Sequence, residues 1–259
     1  MLKSTLSLKS NIDISKYNKL IMFIKKKEQV MYLPKKSKTL DKEQVQKFIS
    51  DAPNDVFLMI KVALIFGVSG ALKKDELLKL ETNNVQDLGS KFLVIIKASK
   101  THTNRIFTIV DNEANTIINA IKSYISLRPA HSPHKRFFIF YKNSKCSTQP
   151  VGINTFSKIP SVIAKFLKLE HPHLYTGHYF RHSSASILCD SGAELSAINR
   201  LGGWKSTAVA EGYIDNSMQN KLETAEKLLG QNTTKPCQVL PSAPPLLLLS
   251  QNLQRSKKT

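Results

Sequence analysis

Apolar and polar positions along this chain follow mainly the spacing of helices, and one strand-rich region interrupts them. Asp41 and Gln44 resemble a capping box ahead of apolar residues at helical spacing, which predicts a helix that stops near Pro53. Residues 55–67 are apolar almost throughout, as is typical of a buried helix. A short helix is predicted over residues 73–80.

The strand-rich region consists of two runs of β-branched and aromatic residues, 92–96 and 105–110. A polar, basic segment separates them, so the pattern predicts an antiparallel hairpin with a basic turn. Helical patterns return at residues 113–127 and 153–169, and Pro160 is expected to interrupt or restart the second of these helices.

Compact helical patterns dominate the rest of the chain up to residue 229. The segments that show them are 179–189, 194–201, 206–213 and 219–229. The expected fold class is therefore α+β, mainly α-helical, with a small antiparallel β-sheet.

The two ends of the chain differ in composition from the middle. Residues 1–38 are lysine-rich with scattered apolar positions, and they are interpreted as a basic, partly flexible lead-in. Residues 39–230 form the predicted main domain. Residues 231–259 are proline-rich and are expected to be a disordered tail.

The charge balance indicates a polyanionic partner. Lysine and arginine total 38 against 19 acidic residues, which gives a net charge of +19 and a pI near 9.8. Such an excess favours nucleic acid over an anionic membrane, and a merely soluble basic protein is the alternative. The sequence contains no run of about eighteen apolar residues, so no membrane span is expected.

Cysteine usage and lysine clusters bear on the compartment. Cys146, Cys189 and Cys237 are odd in number and widely separated, which favours free thiols in a reducing compartment. Neither a carboxylate cluster nor a Cys/His ligand set is evident, so no metal or other cofactor is expected. The lysine clusters at 25–27 and 35–38 suit either nuclear import or an ordinary solvated surface.

Four motifs carry the candidate chemistry, in a fixed order along the chain. Residues 70–80 read Gly-Ala-Leu-Lys-Lys-Asp-Glu-Leu-Leu-Lys-Leu. His178 and Arg181 stand three apart at the start of a predicted helix, so both side chains face one side. Trp204, the only tryptophan, closes Leu-Gly-Gly-Trp, and Tyr213 lies within Glu-Gly-Tyr-Ile.

Over about residues 40–229 this order of motifs resembles the tyrosine recombinases, that is, phage integrases and their relatives. It is most similar to the recombinase-like proteins of eukaryotic Crypton-type transposons, in which Gly-Gly-Trp-Lys-Ser followed by Glu-Gly-Tyr-Ile is typical. The resemblance implies a tyrosine recombinase catalytic-domain fold, double-stranded DNA as the partner, no small-molecule substrate, and a location in the nucleus.

The resemblance also implies a role for each motif residue. Tyr213 would attack a backbone phosphate and form a 3′-phosphotyrosyl bond. Arg181 would hold two phosphate oxygens, and Trp204 would donate its indole N–H to another. His178 would accept the tyrosine proton or bind the phosphate. Lys100, in the basic hairpin turn, would protonate the leaving 5′ oxygen, and Lys97 is the alternative for that role.

The chain departs from the family pattern at Lys73, where an arginine is usual; Glu76, three residues later, matches. Lysine keeps the charge but lacks the planar fork that makes two parallel hydrogen bonds, so weakened catalysis is expected. Lys74 points about 100° around the helix and does not replace it. The alternative is a catalytically inactive, transposon-derived DNA-binding protein.

Two further expectations follow from the resemblance. Family members clamp DNA with an additional N-terminal domain, so that domain is expected to be missing or truncated here. They also work as tetramers and exchange a C-terminal helix, a role that residues 219–229 would fill; an ordinary intramolecular helix is the alternative.

Overall fold

The computed structural model describes Asp13 and residues 16–31, 37–97, 104–176, 178–204, 207–214 and 217–229. Its helices are α1 Asn18–Met31, α2 Lys42–Asp51, α3 Asn54–Ser69, α4 Lys74–Lys79, α5 Thr116–Ser126, α6 Ile153–Phe166, α7 Tyr179–Asp190, α8 Leu195–Gly202, α9 Thr207–Ile214 and α10 Met218–Leu229. Its strands are β1 Val85–Asp87, β2 Lys91–Ile96, β3 Arg105–Val110, β4 Ile139–Lys142 and β5 Lys145–Pro150. The mainly helical α+β class is confirmed.

Helix α3 forms the centre of the core. It packs against α5, α7, β3 and β4, and its residues from Leu58 to Gly67 are buried apart from Ile60, which is partly exposed. A helix that is apolar on every side can bury itself in this way only when other elements surround it. The Ser184 hydroxyl of α7 donates to the carbonyl of Val68 at 2.6 Å, and this bond joins α7 to the end of α3.

The predicted hairpin is confirmed as β2 and β3, which pair antiparallel over their whole length. Phe92, Val94 and Ile96 alternate toward the core, as the side-chain period of a half-buried strand requires. The sequence pattern missed β1, a strand of 3 residues that adds to the other edge of β2. Ile96 pairs with Arg105, so Arg105 begins β3 at the end of the sheet beside the turn.

The sequence analysis did not predict the second hairpin, which is formed by β4 and β5. Its turn residues Asn143 and Ser144 have φ values of 50° and 59°, and positive φ at both central positions suits the twist of antiparallel strands. Asparagine tolerates that conformation, but serine rarely signals it in a sequence.

The expectation for Pro160 was wrong, because α6 runs unbroken through it. A proline inside a helix costs about 3 kcal/mol or more, since it removes one hydrogen bond and crowds the preceding turn. Burial outweighs that cost here: Phe156, Ile159 and Ile163 are each about 1% exposed or less, and Pro160 itself is buried.

Short helices place the motif residues. The capping box of α2 is confirmed, with Asp41 accepting from the backbone N–H of Gln44 at 2.7 Å. Helix α4 begins after Lys73, which is its N-cap residue. Helices α7, α8 and α9 match the predicted segments and pack on one another.

Helix α1 lies inside the segment interpreted as a flexible lead-in, and the sequence pattern did not predict it. The predicted tail, residues 231–259, lies outside the described residues. Within the described part of the chain, the helices are too short or too polar for any of them to cross a membrane.

Candidate active site

Arg181 is a buried charged residue of the four-motif set. It lies in the first turn of α7, is only 7% exposed, and donates from Nη2 to the carbonyl of Gly202. Its guanidinium carbon lies 4.6 Å from the centre of the Trp204 ring, a cation–π contact. Burial, followed by the nearby charge of Arg105, lowers the pKa of Arg181, but a guanidinium stays charged in proteins. The site therefore holds a permanent, partly desolvated positive charge.

The structure requires glycine at positions 202 and 203, because the backbone turns there and neighbouring side chains pack closely against it. Gly203 caps α8 in the left-handed region, at φ 59°. A Cβ on Gly202 would lie 2.3 Å from Cε3 of Trp204, which is closer than any real carbon contact. The two glycines thus let the chain turn sharply and bring the indole back over Arg181.

Replacing Gly202 by alanine is expected to push Trp204 out of its stack and to destabilise the domain by about 1–3 kcal/mol, the usual cost of overpacking. Thermal unfolding and the emission of Trp204, the only tryptophan, measure both effects. Gly152→Ala is the matched control, because a Cβ at Gly152 would meet nothing within 4 Å. An unchanged melting temperature and emission in Gly202→Ala would contradict the packing described here.

Tyr213 lies on α9 between two rings. Its ring is stacked on Trp204, with centroids 5.3 Å apart and planes at 30°, and it meets the ring of His182 at 5.4 Å and 89°. Burial raises the pKa of Tyr213, while the charge of Arg181 acts in the opposite direction. The phenol is therefore protonated at neutral pH and needs a base, and Arg181 favours the phenolate once the proton leaves.

One histidine, His182, contacts Tyr213, and a second, His178, lies beside His182. His178 is the exposed N-cap residue of α7, and its ring lies 6.2 Å from that of His182. Burial, then the neighbouring His178 and Arg181, lowers the pKa of His182, so this imidazole is neutral at pH 7. The sequence analysis did not give His182 a role; its position directly after Arg181 was the available signal.

Lys73 belongs to a second group, on the far side of the Gly202-Gly203 turn. Its side chain is exposed, and its backbone N–H donates to Oε2 of Glu76 at 2.8 Å. Glu76 Oε1 pairs with Nη2 of Arg105, also at 2.8 Å. Arg105 in turn donates to the carbonyl of Leu201 at 2.8 Å. Lys73 is thereby tied to the helix end that holds Arg181.

The other lysines considered for the site differ from Lys73 in where their side chains lie. Lys74 points away, and its Nζ lies 3.4 Å from the hydroxyl of Ser157 on α6. Lys97 lines the same groove of about 780 Å³ as Lys73, and its ammonium pairs with Glu81 at 3.0 Å. Lys100 lies outside the described residues, so the choice between Lys97 and Lys100 as the general acid stays open.

Arg181, Trp204, Tyr213 and the two histidines therefore form one assembly. Chemically, it presents a buried cation, an aromatic clamp and a phenol beside a neutral imidazole, which suits attack of the phenol on an anionic ester. In the described part of the chain, no cluster of three or more His, Cys, Asp or Glu residues is arranged to hold a metal ion.

A family model and known proteins match most of this chain. The family model described as the phage integrase family matches residues 38–220. Tyrosine recombinase XerC of Leptospira interrogans is 25% identical over 199 residues, which cover 75% of this chain and 59% of the relative. Tyrosine recombinase XerA of Pyrococcus horikoshii is 24% identical over 190 residues, which cover 73% of this chain and 61% of the relative. The chain thus spans about three fifths of the length of these relatives.

Solved structures show the same fold. The XerH site-specific recombinase bound to its difH substrate, in a post-cleavage complex, has a TM-score of 0.58 at 18% identity, covering 74% of this chain and 53% of that one. The Tn1549 transposon integrase in complex with circular intermediate DNA has a TM-score of 0.53 at 17% identity, covering 76% and 68%. At these identities the likeness establishes the fold of the domain.

Proposed function

Because this chain belongs to the phage integrase family, we propose that it is the catalytic part of a tyrosine recombinase that cuts and rejoins DNA strands. The observation that carries the proposal is the assembly of Arg181, Trp204 and Tyr213. A ring stack of 5.3 Å and a cation–π contact of 4.6 Å join the three side chains, although Arg181 lies on α7, Trp204 follows α8 and Tyr213 lies on α9.

The proposed reaction is an exchange of phosphoesters. The Tyr213 oxygen attacks a backbone phosphorus, a phosphotyrosyl bond forms at the 3′ side, and the bond to the 5′ oxygen breaks. A base takes the phenolic proton, and Lys100 or Lys97 returns a proton to the 5′ oxygen. Arg181 stabilises the additional negative charge on the phosphate as it develops, and Trp204 keeps both side chains in place.

The finer expectations from the sequence belong to the same proposal. We propose a Crypton-like, transposon-derived protein that acts in the nucleus, with catalysis weakened by Lys73. Its DNA-bound form would be a tetramer assembled through residues 219–229, the segment of α10. The net charge of +19 supports a DNA partner, since lysine and arginine bind phosphates in any sequence.

A second candidate is an inactive DNA-binding protein of the same descent. The observation that favours it is Lys73, whose ammonium offers one charge at the position where a bidentate guanidinium is expected. In that case the basic surface would still bind DNA, with an affinity that falls steeply as salt increases.

A pool of nicked duplexes with randomised sequence tests the proposal, because loss of the short fragment next to the nick traps a covalent intermediate. We expect a small amount of a protein–DNA adduct that survives denaturation, with the DNA attached to the peptide that contains Tyr213. Binding without adduct, even after Lys73→Arg, would favour the inactive protein. Binding that is insensitive to salt would contradict both candidates.

A further inference from the structure

We propose that Arg105 is a positioning residue of the strand-exchange site, which fixes the helix start beside Lys73 relative to the turn that Arg181 holds and that leads into Trp204. The inference rests on the proposed function for its effect on catalysis. Neither the sequence motifs nor the family match assigns a role to Arg105.

Arg105 reaches three other segments of the chain from the first position of β3. Its Nη1 donates to the carbonyl of Leu201 at 2.8 Å and of Gly70 at 3.3 Å, and its Nη2 pairs with Glu76 at 2.8 Å. The partners lie 96, 35 and 29 positions away in the sequence. The side chain is only 21% exposed, so water competes weakly for these contacts.

The contacts continue directly to both halves of the site. On one side, the second oxygen of Glu76 accepts the backbone N–H of Lys73 at 2.8 Å, which fixes the start of α4. On the other side, Leu201 and Gly202 present consecutive carbonyls at the end of α8. Arg105 donates to the first carbonyl and Arg181 donates to the second. Two guanidiniums thus hold one helix end, and the next turn leads into Trp204.

The path of the Arg105 side chain depends on Gly203. A Cβ at Gly203 would lie 2.8 Å from Cδ of Arg105, so the glycine leaves room for the arginine stem as well as adopting a positive φ. A fork with several donors at fixed angles suits this position, because it satisfies two carbonyls and a carboxylate at once. A lysine has a single ammonium and cannot span all three acceptors.

These contacts make a specific prediction for catalysis. Because Arg105 acts through Glu76 and Leu201, its loss misplaces Lys73 relative to Arg181, and small displacements of this kind cost about 10²-fold in rate. Affinity for DNA should change little. If Arg105 bound a phosphate directly, its removal would instead reduce the salt slope of binding by about 1.

The test compares Arg105→Gln and Arg105→Lys with Arg128→Gln in the full chain. Arg128 is a matched control, since it is also half-buried and also donates to backbone carbonyls, those of Phe137 and His134, but in another part of the fold. The measurements are the adduct rate at saturating nicked DNA, the salt slope of binding, and acrylamide quenching of Trp204.

We expect both Arg105 variants to form adduct about 10²-fold more slowly than Arg128→Gln, with an unchanged salt slope and a more readily quenched Trp204. A parental adduct rate in Arg105→Gln, full recovery in Arg105→Lys, or a salt slope lower by about 1 would each overturn the positioning role. If neither the parental chain nor Arg128→Gln forms adduct, even with Lys73→Arg added, the proposed function fails, and Trp204 quenching alone tests the positioning role. Increased quenching of Trp204 in Arg105→Gln but not in Arg128→Gln supports the positioning role of Arg105, whereas equal quenching in the two variants refutes it.

Discussion

Tyr213→Phe is expected to abolish the covalent protein–DNA adduct while leaving the affinity for DNA nearly unchanged. Phenylalanine keeps the ring that stacks on Trp204 and meets His182, so only the nucleophilic oxygen is lost. Removing the nucleophile of a covalent mechanism costs on the order of 10⁶-fold in rate, which in practice means no detectable adduct. The measurement is adduct formation on nicked duplexes, alongside a binding titration.

Tyr17→Phe is the matched control, because Tyr17 is 57% exposed and stands in the lead-in, far along the chain from the motif residues. It should form adduct at the parental rate. An adduct that persists in Tyr213→Phe would show that another residue is the nucleophile. Weakened binding in that variant, with the fold intact, would mean that the phenol contacts DNA in the ground state.

The elements of this fold with a strong local pattern were predictable from the sequence. Helices α2 and α3 and the β2–β3 hairpin follow from capping residues, apolar runs and β-branched positions, and each of these signals acts over a few residues. Strand β1 has only 3 residues, and it exists because β2 offers an open edge. Pro160 was misjudged for the same reason, since burial of α6 by distant segments decides that case.

The residues of the candidate site also differ in whether a sequence pattern could predict them. Arg181, Trp204 and Tyr213 were found because a family motif fixes their order, and the structure brings their side chains together. Arg105 was missed because its partners lie up to 96 positions away, so no local pattern marks it. His182 was passed over because a histidine beside an arginine has many ordinary explanations until its ring is seen against Tyr213.

Whereas Tyr213→Phe should abolish adduct formation, Lys73→Arg should accelerate it by about 10²–10³-fold. A preorganised donor to an anionic transition state contributes roughly that factor, and arginine adds a second parallel hydrogen bond to the charge that lysine already provides. The fold should tolerate the change, because the Lys73 side chain is exposed and its contact with Glu76 uses the backbone N–H. The melting temperature should therefore stay the same.

Lys74→Arg makes this prediction selective. It introduces the same group one position along, but Lys74 points toward Ser157 on α6 instead of the groove beside Lys73, so no acceleration is expected. Equal gains in both variants would indicate a general effect of arginine on DNA affinity, which a binding titration would detect.

If Lys73→Arg gains nothing while Arg181, Trp204 and Tyr213 keep their arrangement, the arginine was lost after activity had ceased, and the inactive DNA-binding protein becomes the better description. A gain of the expected size would place the present deficit in one side chain and show that the rest of the site is still competent.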